Sequence, residues 1–279
     1  MVRSRGDMCP GVFRPWQADD GLLVRLRLVG GLISGNQFDA LLKVSETYGD
    51  GAVHLTRRAN LQVRGIAGDG CLPAEVVAAF EATGLVPARE HELVRNIMVS
   101  PQSGYAGGRA DLRGTAAELD RLLVGDPGLG RLPGRFLFVL DDGRGDLVDT
   151  PADLGLVALD GDRVQVRIGD GWGPVVRRGD APAALVALAS DFLAARGSGP
   201  EAAWHVRELP STSFELGEAD AAVPEPAAPL AYGAVEGGRH VDMPEGHLTR
   251  SSAEHLLPEP VLVVTPWRGI FVPSPKEHS

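Results

Sequence analysis

The chain has 279 residues, a formal charge of −10, 44% hydrophobic and 23% charged residues, which at ~100–200 residues per domain makes one large domain or two small ones and excludes global disorder. A pI near 5.2 gives no diffuse positive field to hold a polyphosphate, so composition points away from nucleic acid as the main partner. No run approaches the ~18 apolar residues of a membrane span and the first residues hold no apolar h-region, so the expected location is the cytoplasm, with no membrane partner.

Residues 22–28 alternate, with Val24, Leu26 and Leu28 on one face and Arg25 and Arg27 on the other, and predict a half-exposed strand. After Gly30-Gly31, Ser34 and Gln37 have capping-box spacing ahead of a helix over 35–48. Strands near 52–57 and 60–66 follow, then a helix opened by Pro73 and ended by Gly84. Thr115 and Glu118 predict a capped helix over 116–124, and Phe136 to Leu140 a central strand that empties into the turn-rich DDGRGD at 141–146. Strands are expected at 156–159, 163–168 and 174–177, and an Ala/Leu helix at 182–196. The Pro/Ala/acid stretch 216–230 reads as a linker. A strand near 231–236, a polar helix near 249–257 and a strand at 260–264 lead into TPWRG at 265–269.

The two ends share an outline of strand, glycine turn, helix, and a strand ending in threonine followed by arginine: Thr56 with Arg58, and Thr265 with Arg268. This suggests a duplicated half with the middle segment inserted between the copies.

Two cysteines, Cys9 and Cys71, cannot supply a disulfide framework or the four thiolates of a zinc or iron–sulfur site. Lys43 and Lys276 are the only lysines among the 27 basic residues, so a single arginine says little and patterns of arginine must carry the argument. The most informative pattern runs from His54 to Arg64. His54, Thr56, Arg58, Asn60, Gln62 and Arg64 alternate with Val53, Leu55, Ala59, Leu61 and Val63, so in one strand the polar six would share a face. A face of guanidinium and amide groups suits a planar ligand with several carboxylates; a solvated outer sheet face is the plainer alternative. Further clusters are Arg95-Asn96 with the glycine-rich SGYAGGR at 103–109, Arg135 ahead of the apolar strand, and Trp267-Arg268. His240, His247 and His255 lack tight metal-ligand spacing, and DDGRGD lacks the full calcium-loop pattern, so no metal site is expected.

Six segments in order, CPG at 9–11, DGLLVRLRLVGG at 20–31, LTRRANLQVRGI at 55–66, LVRNIMVSP at 93–101, LPGRFLFVLDDGRGD at 132–146 and TPWRG at 265–269, make the chain similar to the nitrite/sulfite reductase haemoprotein superfamily, most closely to its precorrin-3B synthases. The resemblance implies an α+β (α/β) fold of duplicated ferredoxin-like half-domains around a tetrapyrrole site, with a central α/β segment inserted. The expected division is 15–98 for the first half-domain, 99–215 for the central segment, 216–230 for the linker and 231–275 for the second half-domain.

The resemblance also implies site roles. The active-site arginine of the family's T-x-R-x-x-x-Q segment falls on Arg58, and that of its R-N segment on Arg95. Substrate carboxylates would meet Arg58, Asn60, Gln62, Arg64, Arg95, Asn96, Arg135 and Arg268. Of the two cations that hold a small anion in the sulfite and nitrite reductases, the first matches Arg135 and the second is Leu137, which argues against those reactions. The implied function is oxygen-dependent hydroxylation and lactonisation of precorrin-3A in cobalamin biosynthesis, with the tetrapyrrole as substrate or a sirohaem-like group. The family's 4Fe-4S cysteines lie beyond the TPWRG segment. The chain runs only ten residues past Gly269, so those cysteines are expected to be absent and a cluster-bearing or electron-donor protein becomes an expected partner. The alternative is a non-catalytic tetrapyrrole carrier or partner subunit that lost the redox module.

Overall fold

The opening alternation forms a hairpin of β1 (Trp16–Ala18) and β2 (Gly21–Leu26) in a computed structural model that describes residues 7–275. The strand ends one residue before Arg27, which leaves the alternation: it is buried, and its Nη1 donates to Pro10 O at 3.1 Å. A glycine turn leads through β3 (Leu32–Ile33) to α1 (Gly35–Tyr48), where the Ser34–Gln37 capping box closes as expected. Then come β4 (Ala52–Leu55), β5 (Leu61–Ile66) and α2 (Ala74–Ala82). The middle of the chain supplies β6 (Ile97–Val99), α3 (Arg113–Gly125), β7 (Phe138–Asp141), β8 (Leu154–Ala158), β9 (Arg163–Ile168), β10 (Gly171–Arg177) and α4 (Ala181–Ala195). The last part holds β11 (Gly233–Val235), β12 (Gly238–Asp242), β13 (His247–Thr249), α5 (Arg250–Ala253), β14 (Leu262–Val264) and β15 (Gly269–Pro273).

Two units hold these elements: Leu93–Pro229 in one, Cys9–Glu92 with Leu230 onward in the other. The second contains the duplication. Its sheets have the orders β1-β2-β5-β4-β13 and β11-β12-β15-β14-β3, the same path twice, with one strand of each copy exchanged. β3 precedes α1 yet pairs with β14 of the other copy, Leu262 opposite Ile33, while β13 precedes α5 yet pairs with β4, Leu248 opposite Val53. Leu248, Val53 and Leu262 are fully buried and Ile33 is 3% exposed, so the exchange is sealed by core side chains. It also needs close backbone approach: a Cβ on Gly31, at φ +72°, would stand 2.3 Å from Val264 O. Phe38, Leu41 and Leu42 of α1 and Phe80 of α2 fill the core beneath the first sheet.

The central unit is a mixed sheet of order β10-β9-β8-β7-β6, parallel from β6 to β8 and antiparallel from β8 to β10. Phe136 anchors its core, with ring centroids 5.3 Å from Phe138 and 4.9 Å from Phe192 of α4. The DDGRGD segment is a turn closed by Asp141, whose carboxylate accepts the Gly143, Gly145 and Leu147 N–H groups at 2.8, 3.0 and 2.8 Å. The 216–230 stretch is held to this unit by Asp220 N to Gln165 Oε1 (2.8 Å) and Ala227 N to Gly145 O (3.0 Å).

Two helices depart from expectation. The Thr115–Glu118 box does not form: α3 starts earlier, at Arg113, Thr115 is buried inside it, and Glu118 pairs with Arg121 at 2.6 Å. The helix expected over 249–257 is only Arg250–Ala253, because the chain then turns to bring Glu259 O to the Gly35 N–H at 3.0 Å.

Candidate functional site

The alternating run from His54 to Arg64 is not one strand. Residues 56–60 form a tight turn between β4 and β5: Thr56 N donates to Asn60 O (2.9 Å), Ala59 N donates to Thr56 O (3.1 Å), and Thr56 Oγ1 accepts the Asn60 N–H at 3.1 Å. Ala59 takes a left-handed φ of 54°. The shared face is therefore broken. Asn60 is 1% exposed and its Oδ1 accepts the Leu28 N–H at 2.9 Å, so it serves the backbone. Arg58 stands at the third position of the turn, half-buried.

What remains of the face is a row across strands. Gln62 lies opposite His54 on one side and Arg25 on the other, and His247 on the exchanged strand β13 lies opposite His54. Oriented to satisfy both partners, the Gln62 amide oxygen accepts from Arg25 Nη2 and Nε at 2.6 and 3.0 Å. Arg64, one strand position pair further on, is 2.9 Å from Asp20, and this hydrogen bond holds the guanidinium pKa up and the Asp20 carboxyl below its ordinary value. His54 Nε2 lies 2.7 Å from Asp50 Oδ2, and the His54 and His247 rings are 5.4 Å apart. Arg25 is the residue that pattern reading missed. Its signal was present in the alternation of 22–28, but the register that sets it against Gln62 is a long-range property.

The turn recurs in the second copy. Thr265 N donates to Gly269 O (2.9 Å), Thr265 Oγ1 accepts the Gly269 N–H (3.2 Å), and Arg268 has a φ of 60°. The equivalence is thus Thr56 with Thr265, Ala59 with Arg268 and Arg58 with Trp267, which corrects the expected pairing of Arg58 with Arg268 by one position. Arg268 is exposed and its carbonyl accepts the Met243 N–H at 3.0 Å. The row Arg25, Gln62, His54 becomes His240, Phe271, Val263, all buried. Burial pushes the His240 pKa down, and its Nε2 lies 3.0 Å from Thr265 Oγ1.

Arg95, Asn96 and Arg135 belong to the other unit. Arg95 is 7% exposed and forms a two-pronged ion pair with Asp120 of α3, at 2.6 and 2.8 Å. Asn96 is buried and its Nδ2 donates to Gly134 O at 2.9 Å and Leu93 O at 3.1 Å. Both fasten the segment to its own scaffold. Arg135 is exposed, with its guanidinium 5.4 Å from the centre of the Trp204 ring, while Leu137 is 4% exposed. The glycine-rich loop at 103–109 is closed by Arg144, which donates to Gln102 Oε1 (2.7 Å), Ala106 O (2.6 Å) and Asp142. Among the described residues no group of three or more His, Cys, Asp or Glu is placed to hold a metal ion, and no helix is long and apolar enough to cross a membrane.

Residues 16–70 match the nitrite/sulfite reductase ferredoxin-like half domain. The chain is 32% identical to a ferredoxin–nitrite reductase of Leptolyngbya laminosa over 133 residues, 45% of this chain and 26% of that protein. It is 36% identical to a precorrin-3B synthase of Sinorhizobium sp over 67 residues, 24% of this chain and 15% of that protein. The match thus spans about a quarter of the nitrite reductase and less of the synthase. The fold is similar to that of the Mycobacterium tuberculosis NirA protein, with a TM-score of 0.70 and 16% identity, covering 96% of this chain and 60% of that one.

Proposed function

Because the chain belongs to the nitrite/sulfite reductase superfamily, we propose that it is a tetrapyrrole-binding oxidoreductase of the precorrin-3B synthase kind, acting on precorrin-3A with oxygen. The observation that carries this reading is the half-open row of Arg25, Gln62 and Arg64 on one sheet face. A planar polyanion offers several carboxylates and guanidinium groups pair with them; a ligand carboxylate would compete with Asp20 at Arg64 and with the Gln62 amide oxygen at Arg25. Arg58 adds charge from the turn between β4 and β5. Leu137 stands where the resemblance places the second cation of the reductases, which argues against sulfite or nitrite as the ligand.

A four-cysteine cluster does not fit the residues present. The sequence has two cysteines, Cys9 buried and Cys71 exposed, against the four thiolates such a cluster takes. On the leading reading this chain binds and orients the tetrapyrrole, and redox equivalents come from a cluster or electron donor that these 279 residues do not hold. The cysteine count equally favours a second reading, a tetrapyrrole carrier or partner subunit.

A titration with sirohaem or a corrin precursor, followed by visible absorbance, is expected to saturate at micromolar concentration. A wild-type chain that leaves the spectrum unchanged overturns both readings. Conversion of precorrin-3A under oxygen, with a reductant and donor protein supplied, separates them: turnover supports the enzyme, and binding without turnover supports the carrier.

A further inference from the structure

The DDGRGD turn and the glycine-rich loop at 103–109 meet at one guanidinium, and the proposed ligand row uses neither of them. Three carboxylates lie within the six residues of the turn: Asp141 is 1% exposed, Asp142 is fully buried, and the Asp146 side chain is 7% exposed. Asp141 accepts three backbone N–H groups. Asp142 is paired with Arg144, whose Nε and Nη2 donate to it at 2.8 and 2.7 Å. Asp146 accepts the Ser100 hydroxyl at 2.6 Å, while Arg144 Nε stays 4.0 Å away. Three ionised carboxylates beside one guanidinium that is already paired repel one another, and the cheapest relief is a proton on the least compensated of them, Asp146. Burial and the neighbouring Asp141 charge push its carboxyl up to about 7, so this proton is exchanged near neutrality.

The same Arg144 closes the glycine-rich loop. Its Nη1 donates to Gln102 Oε1 at 2.7 Å and its Nη2 to Ala106 O at 2.6 Å. The loop lies so close that a Cβ on Gly108, at φ +72°, would stand 2.5 Å from Asp142 Oδ2. The two ends of the loop are fastened separately: Arg113 donates to Ser103 O at 3.1 Å, and the Arg109 N–H to Asp142 O at 2.6 Å. Its middle rests on Arg144. We propose that Arg144 is a two-position latch on this loop: while Asp146 holds a proton the guanidinium stays on Asp142 and Ala106, and when Asp146 ionises it turns to that carboxylate and lets Ala106 go. Ionisation sets two carboxylates in competition for one Nε–H, 2.8 Å from Asp142 and 4.0 Å from Asp146. The charged groups facing Asp146 are Asp141, Asp142 and Arg144 of its own turn. Behind them Arg113 of α3 acts on Asp142 and Arg144, and Arg167 of β9 on Asp141. Both of these guanidiniums donate to backbone carbonyls.

Amide hydrogen exchange of residues 104–108, corrected for the intrinsic effect of pH, reads the latch. In the wild type, protection of the loop is expected to fall at least roughly tenfold between about pH 6 and about pH 8.5. Asp146→Asn carries no charge to draw the guanidinium away, so its loop is expected to stay protected at both. Arg144→Gln has no latch, and its loop is expected to exchange fast at both. A wild-type loop whose protection does not change, or Asp146→Asn with the wild-type pH dependence, overturns the proposal. So does Arg144→Gln with the wild-type pH dependence, since Asp146 then acts on the whole unit and not through the guanidinium. Should Arg144→Gln fail to fold, NMR of the wild type decides. An Arg144 Nε–H resonance that moves in step with the titration of the Asp146 carboxyl carbon supports the latch; one that stays fixed through that titration overturns it.

Discussion

The two copies of the half-domain share a backbone and differ in what they do with it. Both pass through the same five-residue turn, sealed by Thr56 in one and Thr265 in the other, and both give a strand to the other's sheet. In the first copy the row across the strands is Arg25, Gln62 and His54, half-open and charged; in the second it is His240, Phe271 and Val263, closed and mostly apolar. Topology fixed where a row would lie, and side chains decided whether it stayed half-open and polar or became core.

Exchanging residues between the rows is the most forceful way to break this comparison. Phe271→Gln places an amide in a fully buried site and is expected to cost about 4 kcal/mol in urea unfolding, whereas Gln62→Phe on the half-open row should cost less than about 1 kcal/mol. Equal costs would mean that the two faces do not differ.

The central unit can be told apart from the half-domains by pH. Burial and the neighbouring Asp141 charge push the Asp146 carboxyl up to about 7 from 3.8. A raised folded value means that the protonated form is the favoured one. Its stability is fully present below the unfolded value near 3.8 and is lost as pH rises through about 7. At about 1.4 kcal/mol per pKa unit the loss is of order 4 kcal/mol. Asp146→Asn should remove most of that decline, and a variant with the wild-type pH profile would refute the assignment.

Smaller effects test the turns. Asn60→Ala leaves the Leu28 N–H without its side-chain acceptor and should cost about 1–3 kcal/mol. Gly269→Ala should cost a similar amount, because its Cβ would stand 2.3 Å from His240 Nε2. The left-handed position tells in the other direction: Ala59→Gly and Arg268→Gly are each expected to stabilise by up to about 1 kcal/mol, readable as parallel shifts in Tm. If only one of them gains, the turns are not equivalent.

Much of the scaffold was legible in the residues. The Ser34–Gln37 cap, α1, α4 and the hairpin strands follow from local chemistry, and the ordered motifs pointed to the fold. Local spacing failed where a distant partner decides. Thr115 and Glu118 have the spacing of a cap, yet α3 begins upstream and Glu118 finds Arg121. β3 and β13, with two and three residues, are too short to leave a periodic signal and exist only because the other copy receives them. The polar alternation from His54 to Arg64 was real but spanned a turn, so it overstated the face by including Asn60 and omitted Arg25, which register supplies. Arg95 and Asn96 are polar in sequence and structural in space, occupied by Asp120 and by backbone carbonyls.

The central claim is that the first copy's open row receives an anionic tetrapyrrole and the second copy's closed row does not. The direct measurement is sirohaem affinity by absorbance titration of an Arg25→Ala/Gln62→Ala double variant against Arg239→Ala, which removes a half-exposed arginine from the second copy's sheet. The account expects the double variant to lose at least roughly tenfold in affinity, about 1.4 kcal/mol, while Arg239→Ala binds as the wild type does. Equal losses in both, or wild-type affinity in the double variant, would contradict it.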